Sequence, residues 1–363
     1  MRRIVLFTSR LLLCLLFTPA LQSCCIHLWP DPLEEELTPQ MLLHLKFNPD
    51  FYVWEHLYDA DTETVTERYP DQAVRPDFPG TTDVYDNTRP SGLIRHTLRV
   101  YPAGDAVNYI KEVKVSDVVN GLYDCDIPLE LPAGNYDVVV WSDLRENSDA
   151  DFFYNVGNFL SINLDRHEGN NDYRDAFRGK ISLTVTDLPQ QEATVEMWRP
   201  MAKFEFVATG LKTAIERETA RTEGMRVAGS RVEITQYSVT FSYPMYMPAS
   251  YSAVDDRLVD SKTGISFPGK IRQISDDEIS LGFDYVMINA IERRQTGSRD
   301  AQGVSVMVEV RDPYGEVVAR SSIISVPLRR DNHTVIRSDF LSKKADGGVT
   351  IDPDYDGDHH VFL

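Results

Sequence analysis

Short runs in which apolar and polar residues alternate are the feature that most limits how this chain can fold. In the clearest of them, from Val304 to Arg311, a valine occupies every second position up to Val310. A period of two puts the apolar side chains on one face of a β-strand. Similar runs lie near 41–47, 98–101, 110–115, 181–185 and 204–206. We therefore predict an all-β chain.

One run, Tyr136–Trp141, is apolar on both faces except at Asp137, which is typical of a central strand with both faces buried. Turn residues separate the runs. The segment Asp312-Pro313-Tyr314-Gly315 fits a type I turn, with Asp first, Pro second and Gly fourth. A single short helix is predicted from about 211 to 223, ended by Gly224.

The length of 363 residues suggests two domains, since single domains commonly span roughly 100–200 residues. The strand runs fall into two series that meet near 190–195. We place the first all-β domain at 41–195. The second, which includes the helix and an acidic tail, occupies 196–363.

The amino terminus is typical of an export signal. Arginines at positions 2, 3 and 10 accompany apolar runs that are shorter than the about 20 residues a transmembrane helix needs. The stretch ends in Leu21-Gln22-Ser23-Cys24, which resembles the lipobox of bacterial lipoproteins, whose cysteine is acylated and becomes the new amino terminus. We predict a signal peptide at 1–23 and lipidation at Cys24. The alternative is a plain secretory signal that contains a cysteine.

Residues 24–40, which carry three prolines and the run Glu34-Glu35-Glu36, form a predicted extended tether. The formal net charge is −19, so anionic headgroups repel the chain. The acyl chains at Cys24 are therefore expected to supply the membrane contact. Cys125 is predicted to be a partly buried thiol, and a disulfide with Cys25 is the alternative.

Several functional classes are disfavoured. Sequence-independent nucleic-acid binding needs a basic face, which this acidic chain lacks. The sequence contains no G-x-S-x-G, Walker, G-x-G-x-x-G, H-E-x-x-H or C-x-x-C motif, and its eight histidines are scattered. We expect no enzyme, no cofactor and no metal site.

The tail Asp352–Asp358 imitates the first half of an EF-hand loop, with acids at positions one, three and five and glycine at six. Such loops end in a bidentate glutamate at the twelfth position, where this chain has Leu363. We predict a solvated acidic tail, and weak calcium binding is the alternative.

The segment Tyr243–Tyr251 is rich in aromatic residues and prolines. Exposed aromatic side chains on a loop stack on sugars or fill a partner's groove. Tyr243, Tyr246 and Tyr251 are therefore candidate partner- or glycan-contact residues. The competing interpretation is a loop folded over its own domain.

Three segments carry a family resemblance: Trp198–Phe206, Val326–Ile336 and the hairpin Pro132–Trp141. Together with the lipobox, they resemble the fimbrillin-type anchor and accessory lipoproteins of the Bacteroidetes, most of all the minor-fimbria anchor group. Such anchors often carry glycine just after Thr-x-Ile, where this chain has Arg337.

The resemblance implies two tandem transthyretin-like Greek-key β-sandwich domains at the outer membrane, and a fimbrillin-type subunit as partner. It also implies assembly by strand exchange. In that process a subunit that is cut after an arginine loses its first strand and accepts a neighbour's carboxyl-terminal strand. An anchor must keep its first strand, here 41–47, although Arg68, Arg75 and Arg89 follow it.

We expect a lipid-anchored, surface-exposed structural or adhesion protein that serves as an anchor or accessory component of a fimbria-like assembly. One alternative is a glycan-binding surface lipoprotein of a polysaccharide-capture system. Another is a cell-surface adhesion-like protein with an unassigned partner.

Overall fold

The computed structural model describes residues 41–48, 51–67, 92–119, 123–186, 188, 190–210, 213, 216, 236–289 and 302–339. The predicted signal peptide, Cys24, the tether 24–40 and the acidic tail lie outside these residues. Of the predicted helix over 211–223, only Thr213 and Glu216 are described, and both are helical. Within the described ranges, no helix is long and apolar enough to span a membrane.

The regular structure of the described residues is nearly all β-strand. Besides the helical residues Thr213, Glu216 and Gln236, it includes a turn of 3₁₀ helix at Asp172–Arg174. In chain order, the strands are β1 (Met41–Phe47), β2 (Tyr52–Asp59), β3 (Thr64–Glu67), β4 (Gly92–Pro102), β5 (Lys111–Val119), β6 (Cys125–Leu129), β7 (Gly134–Arg145), β8 (Tyr154–Asn155), β9 (Ile162–Leu164), β10 (Ala176–Val185), β11 (Glu192–Met197), β12 (Met201–Thr209), β13 (Ser238–Ser242), β14 (Tyr246–Ser252), β15 (Arg257–Thr263), β16 (Ser266–Pro268), β17 (Arg272–Gln273), β18 (Glu278–Met287), β19 (Gln302–Arg311), β20 (Val317–Arg320), β21 (Ile324–Leu328) and β22 (Asn332–Ser338).

These strands form several sheets. Their strand orders are β11-β1-β6, β10-β7-β4-β5, β17-β18-β12-β22-β2-β3, β16-β13-β19-β20 with β21 also on β19, and β15-β14-β9-β8. The prediction of an all-β chain is therefore confirmed. The described residues lie in one compact unit.

Two hydrophobic cores organise this unit. The first lies between the sheets β11-β1-β6 and β10-β7-β4-β5, where Leu43 and Leu45 of β1 pack with Ile127, Val138 and Val140. Apolar burial of this kind supplies most of the favourable free energy of folding.

The second core is larger, and the remaining sheets close it. Phe204 and Phe206 of β12 pack in it with Phe241, Val306 and Val308. The buried residues of β19 recur at every second position, as the valine pattern predicts. The turn that follows β19 also forms as predicted, because the Gly315 N–H donates to the Asp312 carbonyl at 3.0 Å.

The sheet β10-β7-β4-β5 is shared between the two cores. Val138 and Val140 of β7 face the first core, whereas Val139 and Trp141 on the same strand belong to the second. Trp141 packs near Tyr251, with ring centroids 6.3 Å apart. The prediction of a central strand buried on both faces is confirmed, and each of its faces meets a different core.

The amino-terminal segment, residues 41–59, contributes one strand to each core. β1 lies between β11 and β6, whereas β2 lies between β22 and β3 in the six-stranded sheet. Strands β2 and β3 thus come from the range predicted for the first domain but pair in a sheet of the second. β9 from the same range pairs with β14, and β8 pairs with β9. The division at 195 stays a prediction for the remaining strands.

Arg337, which stands where the resembling anchors often carry glycine, is a buried residue of β22. Its guanidinium lies 2.6 Å from the Glu278 carboxylate and 3.4 Å from that of Glu55. This ion pairing joins β22 to β2 and β18.

Candidate functional site

The predicted aromatic contact loop is mostly strand, and two of its three tyrosines are buried. Met247, Ala249 and Tyr251 of β14 face the second core. Tyr251 is 0% exposed and Tyr243 is 1% exposed, whereas Tyr246 is 59% exposed. This corrects the prediction for Tyr243 and Tyr251, because a buried ring presents no face to a sugar or a partner. A contact at Tyr246 stays a prediction.

The hydroxyls of the two buried tyrosines serve the fold. Tyr243 donates to the Asp284 carboxylate at 2.5 Å, and Tyr251 donates to that of Asp256 at the same distance. Burial and the neighbouring carboxylates raise the pKa of both phenols far above the usual value. Both hydroxyls therefore stay protonated and continue to donate.

Cys24 lies outside the described residues, so its lipidation stays a prediction. Cys125 has the intermediate exposure expected for a partly buried thiol. Among the described residues, no group of three or more His, Cys, Asp and Glu side chains is placed to hold a metal ion.

The position of β1 is the arrangement most relevant to function. β1 pairs antiparallel with β6, so that Leu43 lies opposite Ile127. On its other side, β1 pairs parallel with β11, so that Leu43 lies opposite Ala193. Met41, Leu43 and Leu45 are at most 3% exposed. The β1 slot, defined as the space between β6 and β11, is therefore filled by a strand that completes the first core.

The outward face of β1 is polar and is held by its neighbours. His44 Nδ1 lies 2.7 Å from the Asp126 carboxylate, and Nε2 lies 3.6 Å from that of Glu192. The hydrogen bond to Asp126 raises the pKa of His44 above its usual value. Desolvation opposes this, and Glu192 adds a smaller raising effect. Protonated His44 thus links β1 to the strands on both sides.

β2 is held at the second core by side-chain contacts of Trp54 and Tyr58. Its Trp54 donates from Nε1 to the Glu67 carboxylate at 2.6 Å, and the Arg329 guanidinium stacks 3.8 Å above the Trp54 ring. The Tyr58 hydroxyl lies 2.7 Å from that of Ser322. The Trp54 side chain is only 8% exposed.

Sequence reasoning missed a set of buried charges that joins the two cores. Asp284 of β18 is 1% exposed. It accepts hydrogen bonds from Arg174 and Tyr243 and from His167 Nε2 at 2.8 Å. Burial alone raises the pKa of a carboxyl group, but Arg174 and the hydrogen bonds hold the pKa of Asp284 below its usual value.

These charges did leave a signal in the sequence. Asp143 and Asp284 each interrupt an apolar run, and Arg199 sits in the apolar segment Trp198–Met201. A buried charge needs a partner, because desolvation without one is too costly. A charged residue within an apolar run therefore predicts a buried ion pair, although the run does not identify the partner.

The family assignment follows from the sequence match. A family model described as a family of unknown function, DUF6562, matches residues 61–362. The chain belongs to this family. No curated protein matches the chain.

Several solved structures are distantly similar to this chain. The fimbrial anchor protein Mfa2 of Porphyromonas gingivalis is 11% identical with a TM-score of 0.36, covering 78% of this chain and 82% of that one. A fimbrial assembly protein of Parabacteroides distasonis is 12% identical with a TM-score of 0.32, covering 78% and 89%.

A candidate adhesin of Bacteroides thetaiotaomicron is 15% identical with a TM-score of 0.39, covering 78% of this chain and 79% of that one. These three similar structures are therefore described as fimbrial and adhesin proteins. At these identities and TM-scores, the likeness is too distant to assign a function to the DUF6562 chain.

Proposed function

We propose that this chain is a lipid-anchored, surface-exposed protein of the outer membrane that serves as an anchor or accessory component of a fimbria-like assembly. In this proposal Cys24 carries the lipid, a fimbrillin-type subunit is the partner, and the two cores are transthyretin-like Greek-key sandwiches. The chain has no enzymatic role.

One observation carries the proposal: the amino-terminal segment gives β1 to the first core and β2 to the second. A cut after Arg68 would release both strands with the lipid and would open both cores. A subunit built in this way has to keep its amino terminus, as an anchor must. The resemblance to anchor lipoproteins in the lipobox and in three strand segments supports the same role.

Since β1 stays in place, the partner must pair elsewhere. β5 is a nine-residue terminal strand of its sheet, and within the described residues no strand pairs on its outer side. Val118 on β5 is 50% exposed. An open edge of this kind offers unpaired backbone groups to an added strand.

Intact mass of the native protein, extracted from outer membranes, tests the anchor role. We expect a single form that begins at acylated Cys24. A Cys24→Ala variant, matched in every other residue, should leave the membrane fraction. A native form that begins after Arg68 or Arg75 would contradict the proposal.

Amine cross-linking in the native membrane tests partner addition at β5. Lys111 and Lys114 both lie on this strand, and links from them should recover a fimbrillin-type subunit. The variant Lys111→Arg/Lys114→Arg keeps the charge but should lose those links. Recovery of transport proteins alone would argue instead for polysaccharide capture, a role that the burial of Tyr243 and Tyr251 makes less well supported.

A further inference from the structure

The outward face of the sheet β11-β1-β6 has opposite charges on its middle and flanking strands. Successive residues of a strand point to opposite faces, so the buried Leu43 and Leu45 place His44 and Lys46 on the outward face. In the pairing register, Asp126 of β6 lies opposite His44, and Glu196 of β11 lies opposite Lys46. The basic positions of β1 thus lie between acidic neighbours.

Direct contacts connect these groups. His44 approaches Asp126 to 2.7 Å and Glu192 to 3.6 Å. Next to β6, the Asp124 carboxylate accepts a hydrogen bond from the Phe47 N–H at 3.0 Å. Carboxylates on both flanks of the slot therefore contact the strand that fills it.

The carboxyl-terminal segment of the chain has the opposite character. Residues 350–363 read TIDPDYDGDHHVFL, with four aspartates before the two histidines. In a strand placed in the β1 slot, aspartates at the outward positions would face Asp126 and Glu196. Like charges directly opposite each other destabilise a strand pair.

We propose that the β1 slot is a charge-selective strand site. It holds a strand with apolar residues at the inward positions and basic residues at the outward ones, as its own β1 has, and it rejects the acidic carboxyl-terminal segment of a second copy of this chain. Copies therefore do not join one another through this slot, and β1 stays in it. This inference rests on the proposed function, because it gives a reason why an anchor keeps β1.

The test uses the full mature chain with a protease site in place of residues 49–50, between β1 and β2. After cleavage, the amino-terminal fragment stays in the slot by non-covalent contacts alone, and native mass spectrometry measures how long it remains. We expect His44→Glu/Lys46→Glu to shorten the retention about tenfold relative to the neutral control His44→Gln/Lys46→Gln. High salt should reduce the difference in retention time between the charge-reversed and the neutral fragment.

Peptide exchange on the same cleaved protein gives a second measurement. Excess labelled MLLHLKF should replace the fragment, whereas TIDPDYDGDHHVFL and MLLELEF should not. The protein variant Asp126→Asn/Glu192→Gln/Glu196→Gln should lose this discrimination.

Equal retention of the charge-reversed and neutral fragments, or equal uptake of the basic and acidic peptides, would overturn charge selection. Either result would leave the anchor role intact, because that role is read from the native amino terminus. Conversely, a native form that lacks 41–47 would remove the anchor role without changing the peptide preference.

Discussion

Arg199 donates from Nε to both carboxylate oxygens of Asp175, at 2.9 Å each, and the two side chains are buried. Asp175 immediately precedes β10, which lines the first core, and Arg199 precedes β12 of the second. The Arg199 guanidinium also lies 3.8 Å from the Phe51 ring centroid and 4.7 Å from that of Phe177. One ion pair thus joins the two cores.

Breaking this pair should be costly. We expect Arg199→Met to lower the free energy of unfolding by about 3–5 kcal/mol, because it leaves Asp175 charged and buried without its partner. Urea denaturation measures the change. As a control, Arg257→Met should cost under about 0.5 kcal/mol, since the Arg257 side chain is 65% exposed. Similar losses of unfolding free energy in the two variants would show that the Arg199–Asp175 pair does not stabilise the contact between the two cores.

The burial of β1 predicts that a substitution in β1 lowers stability more than one at an exposed position of β2. Leu43→Ala removes a fully buried side chain from the first core and should cost about 2–5 kcal/mol. Leu57→Ala on β2 should cost under about 0.5 kcal/mol, because Leu57 is 44% exposed. Denaturation midpoints compare the two variants. If Leu43→Ala left the denaturation midpoint almost unchanged, β1 would contribute little to the core.

His44 should make the hold on β1 depend on pH. Its pKa is raised, so its contribution is complete below the unfolded value of about 6.5 and is lost as pH rises through the folded value. The groups that face it are Asp126, Glu192 and, farther along the strands, Lys46 and Glu196.

Amide exchange of residues 42–46, corrected for intrinsic rates, should show weaker protection at pH 8.5 than at pH 5.5. The difference should vanish in His44→Gln. Unchanged protection across this range in the parent protein would refute the role of His44.

His96 should make stability depend on pH in the opposite direction, because acidification should destabilise the fold. It is buried in the first core with Nδ1 2.8 Å from the Ser142 hydroxyl, and burial lowers its pKa to about 4. The unfolded chain therefore binds a proton between pH 6.5 and 4 that the folded chain does not. This should remove about 3 kcal/mol of stability over that interval.

Acid unfolding midpoints check this prediction. His96→Gln should be less stable at neutral pH but should lose less stability on acidification than the parent does. A parent and variant with parallel acid profiles would rule out His96 as the titrating group.

The strands were predictable from local pattern, whereas their long-range pairing was not. β19 alternates between buried and partly buried residues, and β7 is buried on both faces. Each pattern follows from the residues of that strand alone. β2 pairs parallel with β22, for which no local residue provides a signal. Asp284 accepts from Arg174 across 110 positions of sequence, so the apolar run around it revealed burial but not the partner.

The two core tyrosines show how a local rule misled. Pro244 and Pro248 are typical of loops, and so the sequence predicts a loop here, either exposed to a partner or folded over its own domain. The structure places Pro248 inside β14, at an irregularity in its pairing with β15. Alternation then carries Tyr251 into the second core.

The seating of residues 41–59 also has a mechanical consequence. β1 is paired along its length with β6 and β11, and β2 is paired with β22 and β3. A pull applied just before Met41 and directed along β1 loads the two ladders of β1 in shear, so that many hydrogen bonds share the force at once. Peeling would break them one at a time. The point where a membrane tether would join the fold is thus a point built to withstand tension.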